Sequence, residues 1–409
     1  MIGGFELYYP VIMSFVWIIG AIFFNYCERT FTKLRSKKQN NGPSVEVFMS
    51  CYNEEAVLER SIDSLEQITY QNYRVVLIDD KSSDNTLQIM QKLAQKYPNI
   101  EIKAQKKNMG KAAALNRALS ESKADYILCV DADTIFKKDS LSYLVAVLSA
   151  DQRIAAVTGR PIVKNVSTLM GKLQFLEYIL NIDMIKRSQS FFLGHIMTVS
   201  GALTLFRRSA LEDVGGWSTE AMTEDIDVTW RLYDKGYYCT YQPRALCQIY
   251  VPETVRGFVK QRVRWGRGGL EVLRDHFKMI PNFSWGQRFL ALDMCFSYAW
   301  VFLVSFAIFK IFFEFIFVKN LRINLGILVA YYGVTLLFYG FSKLFNWKNT
   351  YIKYKNYWLY LPFFFYAYWL NNIVVVFSAF YHLFDSVKFA AWGASDRGRS
   401  NDGQTQKNI

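Results

Sequence analysis

Four long stretches without a charged side chain constrain this chain more than any other feature of its sequence. Residues 7–26, 323–342 and 357–384 contain no Asp, Glu, Lys or Arg, and residues 294–309 form a fourth such stretch. A helix of about 20 apolar residues crosses a bilayer. The sequence therefore predicts an integral membrane protein that contacts the lipid bilayer through both ends of the chain.

The longest stretch contains two polar residues near its middle, Asn371 and Asn372. Polar side chains are costly in lipid, so one prediction is a broken or re-entrant helix at this point. A single long and tilted span is the alternative, because tilting accommodates a stretch that is longer than the bilayer is thick.

Charge indicates on which side of the membrane the segments lie. Five basic residues follow the first stretch: Arg29, Lys33, Arg35, Lys37 and Lys38. They favour an uncleaved signal anchor with the next segment in the cytoplasm. We expect an anchor at 1–28, a cytoplasmic domain at 45–275, a membrane bundle at 286–386 and a polar tail at 387–409. Basic residues in the tail favour a cytoplasmic C terminus, whereas three spans in the bundle would place it outside, so the span count stays open.

Composition excludes several classes of protein. The net charge of +13 is concentrated beside the membrane stretches and in residues 255–274, which favours anionic lipid and phosphate-bearing substrates. No nucleic-acid-binding motif accompanies that charge. Six cysteines without a Cys-x-x-Cys pair and three scattered histidines argue against a disulfide framework and against a zinc site.

Strand and helix patterns alternate from residue 45 onward. Apolar runs predict strands at 45–51, 74–79, 100–104, 126–130, 155–159 and 198–206. Helical patterns lie at 54–67, at 84–96 and from residue 111. This alternation predicts an α/β fold with a parallel sheet and helices on both of its faces. Two amphipathic segments, 169–187 and 255–273, fit either helices at the membrane interface or ordinary helices of a globular core.

Polar motifs follow the predicted strands at their carboxyl ends, where open α/β sheets bind ligands. Asp131 and Asp133 end the fourth strand, and two such carboxylates suit Mg²⁺ or Mn²⁺ bound together with a phosphate. The other motifs are Tyr52-Asn53-Glu54, Asp79-Asp80, Gly110-Lys111, Thr223-Glu224-Asp225 and Gln261-Arg262-Val263-Arg264-Trp265. Lys111 opens a helix, and a lysine at a helix N terminus is typical of a phosphate site. Each motif alone is a weak signal, but their order along the sheet is a strong one.

In this order the motifs resemble those of the family 2 processive glycosyltransferases, which include cellulose, chitin and hyaluronan synthases. Within that family the chain is most similar to the bacterial poly-β-1,6-N-acetyl-D-glucosamine synthases of biofilm formation. The similar stretches include VTGRPIVKNVSTLMGKLQFLEYI, MTEDIDVTWRL and VPETVRGFVKQRVRWGRGG. The resemblance implies a Rossmann-like GT-A glycosyltransferase domain with N- and C-terminal transmembrane helices, in a bacterial cell membrane.

The resemblance also implies roles for the matching residues. A UDP-sugar would contact Tyr52, Glu54, Asp79, Asp80, Lys111, Asp131 and Arg264. The divalent cation, Mg²⁺ or Mn²⁺, would be held by Asp131 and Asp133. Asp225 would be the general base that takes a proton from the acceptor hydroxyl. The acceptor and the growing polymer would contact Glu224, Gln261 and Trp265.

The implied reaction is inverting, processive polymerisation of UDP-GlcNAc, with the growing polysaccharide, a small membrane accessory subunit and lipid as partners and no nucleic acid. A hyaluronan- or chitin-like β-1,4 synthase, a single-sugar transferase to a polyprenyl phosphate and a non-catalytic channel are the alternatives. Lys81 stands where the family usually has glycine, which leaves the local turn open. The chain also reads RWGRGG where the similar synthases often read RWAQGG.

Overall fold

The computed structural model describes residues 4–30, 38–318, 325–347, 349, 352, 354 and 356–382. Within them one domain, built on a single sheet, lies between an N-terminal helix and a group of C-terminal helices. The strands are β1 Val45–Cys51, β2 Tyr73–Asp79, β3 Ile100–Ala104, β4 Tyr126–Asp131, β5 Ile135–Phe136, β6 Ile154–Val163, β7 Thr204–Arg207 and β8 Tyr238–Ile249.

The α-helices cover the sheet and extend from it at both ends of the chain. They are α1 Gly4–Thr30, α2 Leu58–Leu65, α3 Thr86–Lys96, α4 Lys111–Glu121, α5 Ser140–Ala150, α6 Leu169–Glu177, α7 Asp183–Phe192, α8 Arg208–Asp213, α9 Glu224–Asp234, α10 Val255–His276, α11 Trp285–Phe313, α12 Leu325–Phe345 and α13 Leu361–His382. A π-helical turn, Tyr178–Ile182, joins α6 to α7.

The sheet has the strand order β3-β2-β1-β4-β7-β6-β8-β5. Strands β1 to β4 run parallel, so their carboxyl ends meet at one edge of the sheet. All seven residues of β1 are buried, because helices cover both faces of this central strand. The register pairs Ser50 of β1 with Asp131 of β4 and Cys51 with Asp79 of β2, which brings three predicted motifs side by side.

The second half of the sheet corrects the prediction of a wholly parallel sheet. Strand β7 runs antiparallel to both β4 and β6, and β5 runs antiparallel to β8. The strand predicted at 198–206 covers only Thr204–Arg207 in the structure. The backbone before it forms hydrogen bonds with side chains; for example, Val199 N–H donates to Thr229 Oγ1. Strand β8 was missed, since Pro243 interrupts its pattern and falls where the register with β6 shifts.

Three helical segments in the described residues are long and apolar enough to cross a membrane: Gly4–Cys27, Trp285–Phe317 and Leu328–Phe345. The prediction of a helix broken at Asn371 and Asn372 is wrong, because α13 runs through both residues without interruption. Its start follows a 3₁₀ turn at Tyr357–Tyr360, and Pro362 then occupies the first turn, where a missing N–H costs nothing. The predicted tail at 387–409 lies outside the described residues.

A buried network of charges and amides attaches two of the apolar helices to the domain. The carboxylate of Asp183 on α7 pairs with Arg187 Nε at 2.9 Å and with Arg160 Nη2 of β6 at 2.8 Å. Arg187 also donates to Asn25 Oδ1 of α1, and Arg160 donates to Asn346 Oδ1 directly after α12. The amphipathic segment 169–187 is therefore packed between the sheet and these helices.

Candidate active site

Two loops at the carboxyl edge of the sheet adopt left-handed backbone conformations. Asn53 after β1 has φ +57° and Lys81 after β2 has φ +64°. The loops are joined because Asn53 Oδ1 accepts a hydrogen bond from Ser83 N–H at 2.8 Å. Lys81 thus takes a left-handed conformation that glycine adopts without strain, at the position where the family usually has glycine.

The acidic residues of these loops are buried and bonded within the protein. Asp79 accepts from Ser82 N–H at 3.1 Å. Asp80 accepts from the backbone N–H groups of Met109 at 2.9 Å and Gly110 at 2.8 Å. Burial raises the pKa of Asp80, while these two donors act to lower it. Asp80 therefore holds the loop before α4 in place, and direct contact of its side chain with a nucleotide stays a prediction.

The remaining residues of the predicted nucleotide site lie around the same loops. Tyr52 is partly exposed and Glu54 is buried. The backbone N–H of Glu54 donates to Thr86 Oγ1 at 2.7 Å, which fixes the loop to the start of α3. These residues line the edge at which β1 and β2 end, as predicted, and their contact with a ligand stays a prediction.

Lys111 lies at the centre of the site, in the first turn of α4. Its ammonium group is 2.7 Å from Asp131 Oδ1 and 2.8 Å from Glu224 Oε1. It therefore joins the end of β4 to the start of α9. Burial would lower the pKa of Lys111, but Asp131 and Glu224 outweigh it and raise that pKa well above its ordinary value.

Gly201 closes the site from the loop before β7. A Cβ atom there would lie 2.9 Å from Lys111 Nζ, so a larger residue would push against the ion pairs. The backbone N–H of Gly201 also points to Asp225 Oδ2 at 3.4 Å. Gly201 lies within the strand predicted at 198–206 and was not singled out, although glycine within a strand pattern signals close approach.

The two carboxylates after β4 differ in their surroundings. The Asp131 side chain is 36% exposed, whereas Asp133 is buried. Burial, and then the charge of Asp131, raise the pKa of Asp133 to about 7. A carboxylate pair of this kind has the chemistry to hold a divalent cation, because an added positive charge would offset both effects.

Asp225 lies in the first turn of α9, beside Glu224. Burial, and then the charge of Glu224, raise the pKa of Asp225 to about 6. Lys186 on α7 is also buried, and burial lowers its pKa to about 8 against the opposing effect of Asp225. No motif indicated this lysine. Burial acts to raise the pKa of Glu224, but Lys111 and Arg264 outweigh it and hold that pKa below its ordinary value.

Helix α10 carries the Gln261-to-Trp265 motif and packs closely on three neighbours through its glycines. A Cβ at Gly266 would lie 2.7 Å from Val375 of α13. At Gly268 it would lie 2.3 Å from Thr223 Oγ1, and at Gly269 2.5 Å from the Tyr298 hydroxyl of α11. The RWGRGG sequence therefore places α10 against α9 and two of the apolar helices.

The motif residues on α10 have different environments. Arg264 is exposed, yet its charge acts on Glu224 and Asp225, so it lies at the site. The side-chain oxygen of Gln261 is buried and accepts no hydrogen bond within the described part of the chain. Trp265 is partly buried and packs against the main apolar core. Arg262, which sequence reasoning had not singled out, lies over the Trp265 ring at 4.1 Å.

The fold and the site together define a glycosyltransferase of the GT-A type carried by apolar helices. The profile of Glycosyl transferase family 2 matches residues 46–215. The chain is 39% identical over 305 residues to the poly-β-1,6-N-acetyl-D-glucosamine synthase of Staphylococcus aureus strain COL, covering 74% of each chain. It is 38% identical over 311 residues to the synthase of the same name from Staphylococcus epidermidis, again covering 74% of each. The chain therefore belongs to glycosyltransferase family 2.

A solved structure supports the same fold. The mannosyltransferase PcManGT from Pyrobaculum calidifontis, in complex with GDP-Man and Mn²⁺, superposes with a TM-score of 0.60. The match covers 92% of this chain and 98% of that one at 20% sequence identity. At this identity the likeness concerns the fold, including helices beyond the sheet domain.

Proposed function

We propose that this chain is a processive, inverting N-acetylglucosaminyltransferase that polymerises UDP-GlcNAc into poly-β-1,6-N-acetyl-D-glucosamine and passes the polymer across the membrane. The names of the staphylococcal relatives support the sugar and the linkage. The observation that carries the proposal is the bridge from Asp131 through Lys111 to Glu224, beside the partly buried Asp225. Through Lys111 the bridge connects Asp131, proposed for the donor side, with Glu224, proposed for the acceptor side.

The proposed reaction is one displacement at C1 of the donor sugar. An acceptor hydroxyl attacks C1 from the face opposite to UDP, and Asp225 takes its proton. The C1–O bond to UDP breaks with its electron pair leaving on the diphosphate, so an α-linked donor gives a β-linked product. A base with a pKa of about 6 is ionised at neutral pH and still basic enough to accept a proton.

Positive charge is available for the leaving diphosphate. Lys111 contacts Asp131 at the end of β4, and the charge of Arg264 acts on Glu224 and Asp225. Both side chains are donors suited to phosphate oxygens. Lys111 is paired with Asp131 and Glu224. We propose that diphosphate binding takes over part of this pairing, which would release Glu224 toward the acceptor.

Asp131 and Asp133 are the residues proposed to hold Mg²⁺ or Mn²⁺. Among the described residues no third His, Cys, Asp or Glu completes a ligand cluster, so other ligand positions would fall to phosphate oxygens and water. A bound cation would supply charge neutralisation for the leaving group. Tyr52, Glu54, Asp79 and Asp80 are proposed to form the nucleoside side of the site, at the ends of β1 and β2.

The acceptor is proposed to lie along α10. Trp265 offers an apolar ring to the terminal sugar, and the unbonded Gln261 oxygen is available to a sugar hydroxyl. Because α10 touches α11 and α13 through its glycines, a chain held there lies next to the apolar helices. This contact supports an enzyme carried on several membrane helices, and the basic residues after the first helix favour a cytoplasmic domain. A small membrane accessory subunit remains part of the proposal.

The test is the product made by membranes that contain the full chain and receive UDP-GlcNAc. We expect a polymer that a β-1,6-hexosaminidase degrades and that chitinase and hyaluronidase leave intact. Degradation by chitinase or hyaluronidase would replace the proposal with a β-1,4 synthase. Transfer of one sugar to a lipid would indicate the polyprenyl-phosphate alternative, and absence of UDP release would indicate a non-catalytic protein.

A further inference from the structure

One face of the Trp265 ring is covered by a charged group. The guanidinium of Arg262, almost one turn earlier on α10, lies 4.1 Å from the centre of that ring and 4.9 Å from the centre of the Phe258 ring. Glu177, the last residue of α6, forms an ion pair with the same guanidinium. Only 6% of the Arg262 side chain and 12% of the Glu177 side chain are exposed.

Stability alone is a poor explanation for this pair. Removing two charges from water is costly, and apolar residues of similar volume often stabilise a core equally well or better. The pair does fix the orientation of the guanidinium relative to the Trp265 ring. A planar guanidinium stacks flat on an indole ring, and a carboxylate on a separate element fixes the plane of that guanidinium.

The position of Glu177 strengthens this reading of the pair. The helix changes to the π-helical turn Tyr178–Ile182 directly after Glu177, and such widened turns are frequent at functional sites. Within the turn, the carbonyl oxygen of Ile179 accepts a hydrogen bond from Ser342 Oγ of α12 at 3.0 Å. The carboxylate that holds Arg262 is therefore carried by a segment attached to an apolar helix.

We propose that Glu177 and Arg262 are positioning residues that hold the Trp265 ring at a fixed angle and cover one of its faces, so that the terminal sugar of the acceptor chain stacks on the opposite face. The inference rests on the proposed acceptor role of Trp265. Because only one face can bind, the pair also fixes the side from which the chain approaches Asp225.

The test separates sugar transfer from polymer length in membranes that contain the full chain. Arg262→Lys keeps the charge but removes the planar surface. We expect polymer about fivefold to tenfold shorter, as loss of one ring contact would give, with the KM for UDP-GlcNAc and the rate of UDP release unchanged. Arg267→Lys is the matched control. Arg267 pairs with Glu271 at 2.7 Å on the same helix at similar burial, and its variant should make polymer of parental length.

A double variant guards against misfolding, since removing one partner of a buried pair leaves an uncompensated charge. Glu177→Leu combined with Arg262→Met removes both charges, and we expect short polymer at parental UDP release. Parental polymer length in both Arg262 variants, while Trp265→Ala shortens it, would overturn the inference and leave the acceptor role standing. Parental length in Trp265→Ala would instead refute the acceptor role, and the inference with it.

Discussion

The two halves of the domain are built in different ways. In the first half, residues 45–133, four parallel strands end at one edge, and each loop bonds its neighbour: Asn53 to Ser83, and Asp80 to Gly110. In the second half, residues 154–276, the site residues come from α7, the loop before β7, α9 and α10. Contacts between distant segments hold these, such as Gly201 with Asp225 and Gly268 with Thr223.

The difference shows where this fold can build the donor site and the acceptor site of a group-transfer reaction. Parallel strand ends provide a ready-made ligand edge, which any chain of this fold has. The proposed acceptor side needs a base, a sugar platform and a connection to the apolar helices, and the residues proposed for these roles come together through packing of α10 on its neighbours. We therefore expect changes in the second half to alter the reaction while leaving donor binding intact, except at Arg264, which is proposed to contact the diphosphate.

The largest expected effect concerns the base. Asp225→Asn should lower kcat by about 10²–10⁴-fold, the range for loss of a general base. UDP-GlcNAc affinity should stay near the parental value, because Asp225 is not among the proposed donor contacts, which apart from Arg264 lie in the first half. Calorimetric binding of UDP-GlcNAc and the rate of UDP release measure the two separately. Asp234→Asn at the other end of α9 is the control. Normal polymerisation by Asp225→Asn would contradict the proposed role of Asp225 as the base and the contrast between the two halves.

The next effect concerns the first half. Asp133→Ala or excess EDTA should reduce UDP release on the order of 10²-fold or more, since cation stabilisation of a leaving group amounts to several kcal/mol. Mg²⁺ or Mn²⁺ should restore the chelated parent but not the variant. Asp139→Ala, which breaks a 2.6 Å pair with Lys38 at the surface, is the control. Full activity in EDTA would remove the cation from the proposal.

A smaller effect is expected where the second half is packed most closely. Gly268→Ala should destabilise the protein by about 1–3 kcal/mol, because the added Cβ overlaps Thr223 and overpacking costs that much. It should also lower kcat, since Thr223 precedes Glu224 and Asp225. Thermal unfolding in detergent and UDP release measure both. Gly340→Ala is the control: no described atom lies within 4 Å of its Cβ, and alanine favours a helix.

The same contrast explains how far the sequence could be interpreted. The bounds of strands β1 to β4 were predicted to within one residue, because runs of β-branched residues and the helices between them depend on the local sequence. Gly201, Lys186 and Arg262 were missed, because their roles depend on which distant segment packs against them. The broken helix at Asn371 was predicted from the cost of an amide in lipid, yet Asn371 is buried against protein in a continuous helix.

The smallest expected effect tests the loops of the first half at their two left-handed residues. At Lys81 a non-glycine residue at φ +64° costs roughly 1–2 kcal/mol, and the extra freedom of an unfolded glycine returns about 0.5–1 kcal/mol of that. Lys81→Gly should therefore raise the free energy of unfolding by about 0–1.5 kcal/mol, with donor affinity unchanged. Asn53→Gly removes the same backbone strain but also the acceptor of the 2.8 Å bond from Ser83 N–H, so it should destabilise and weaken UDP-GlcNAc binding. The test is to measure the free energy of unfolding and the UDP-GlcNAc affinity of both variants. Equal changes in the free energy of unfolding would mean that backbone strain alone determines the stability of these loops. Changes of opposite sign would mean that the hydrogen bonds between the loops determine it.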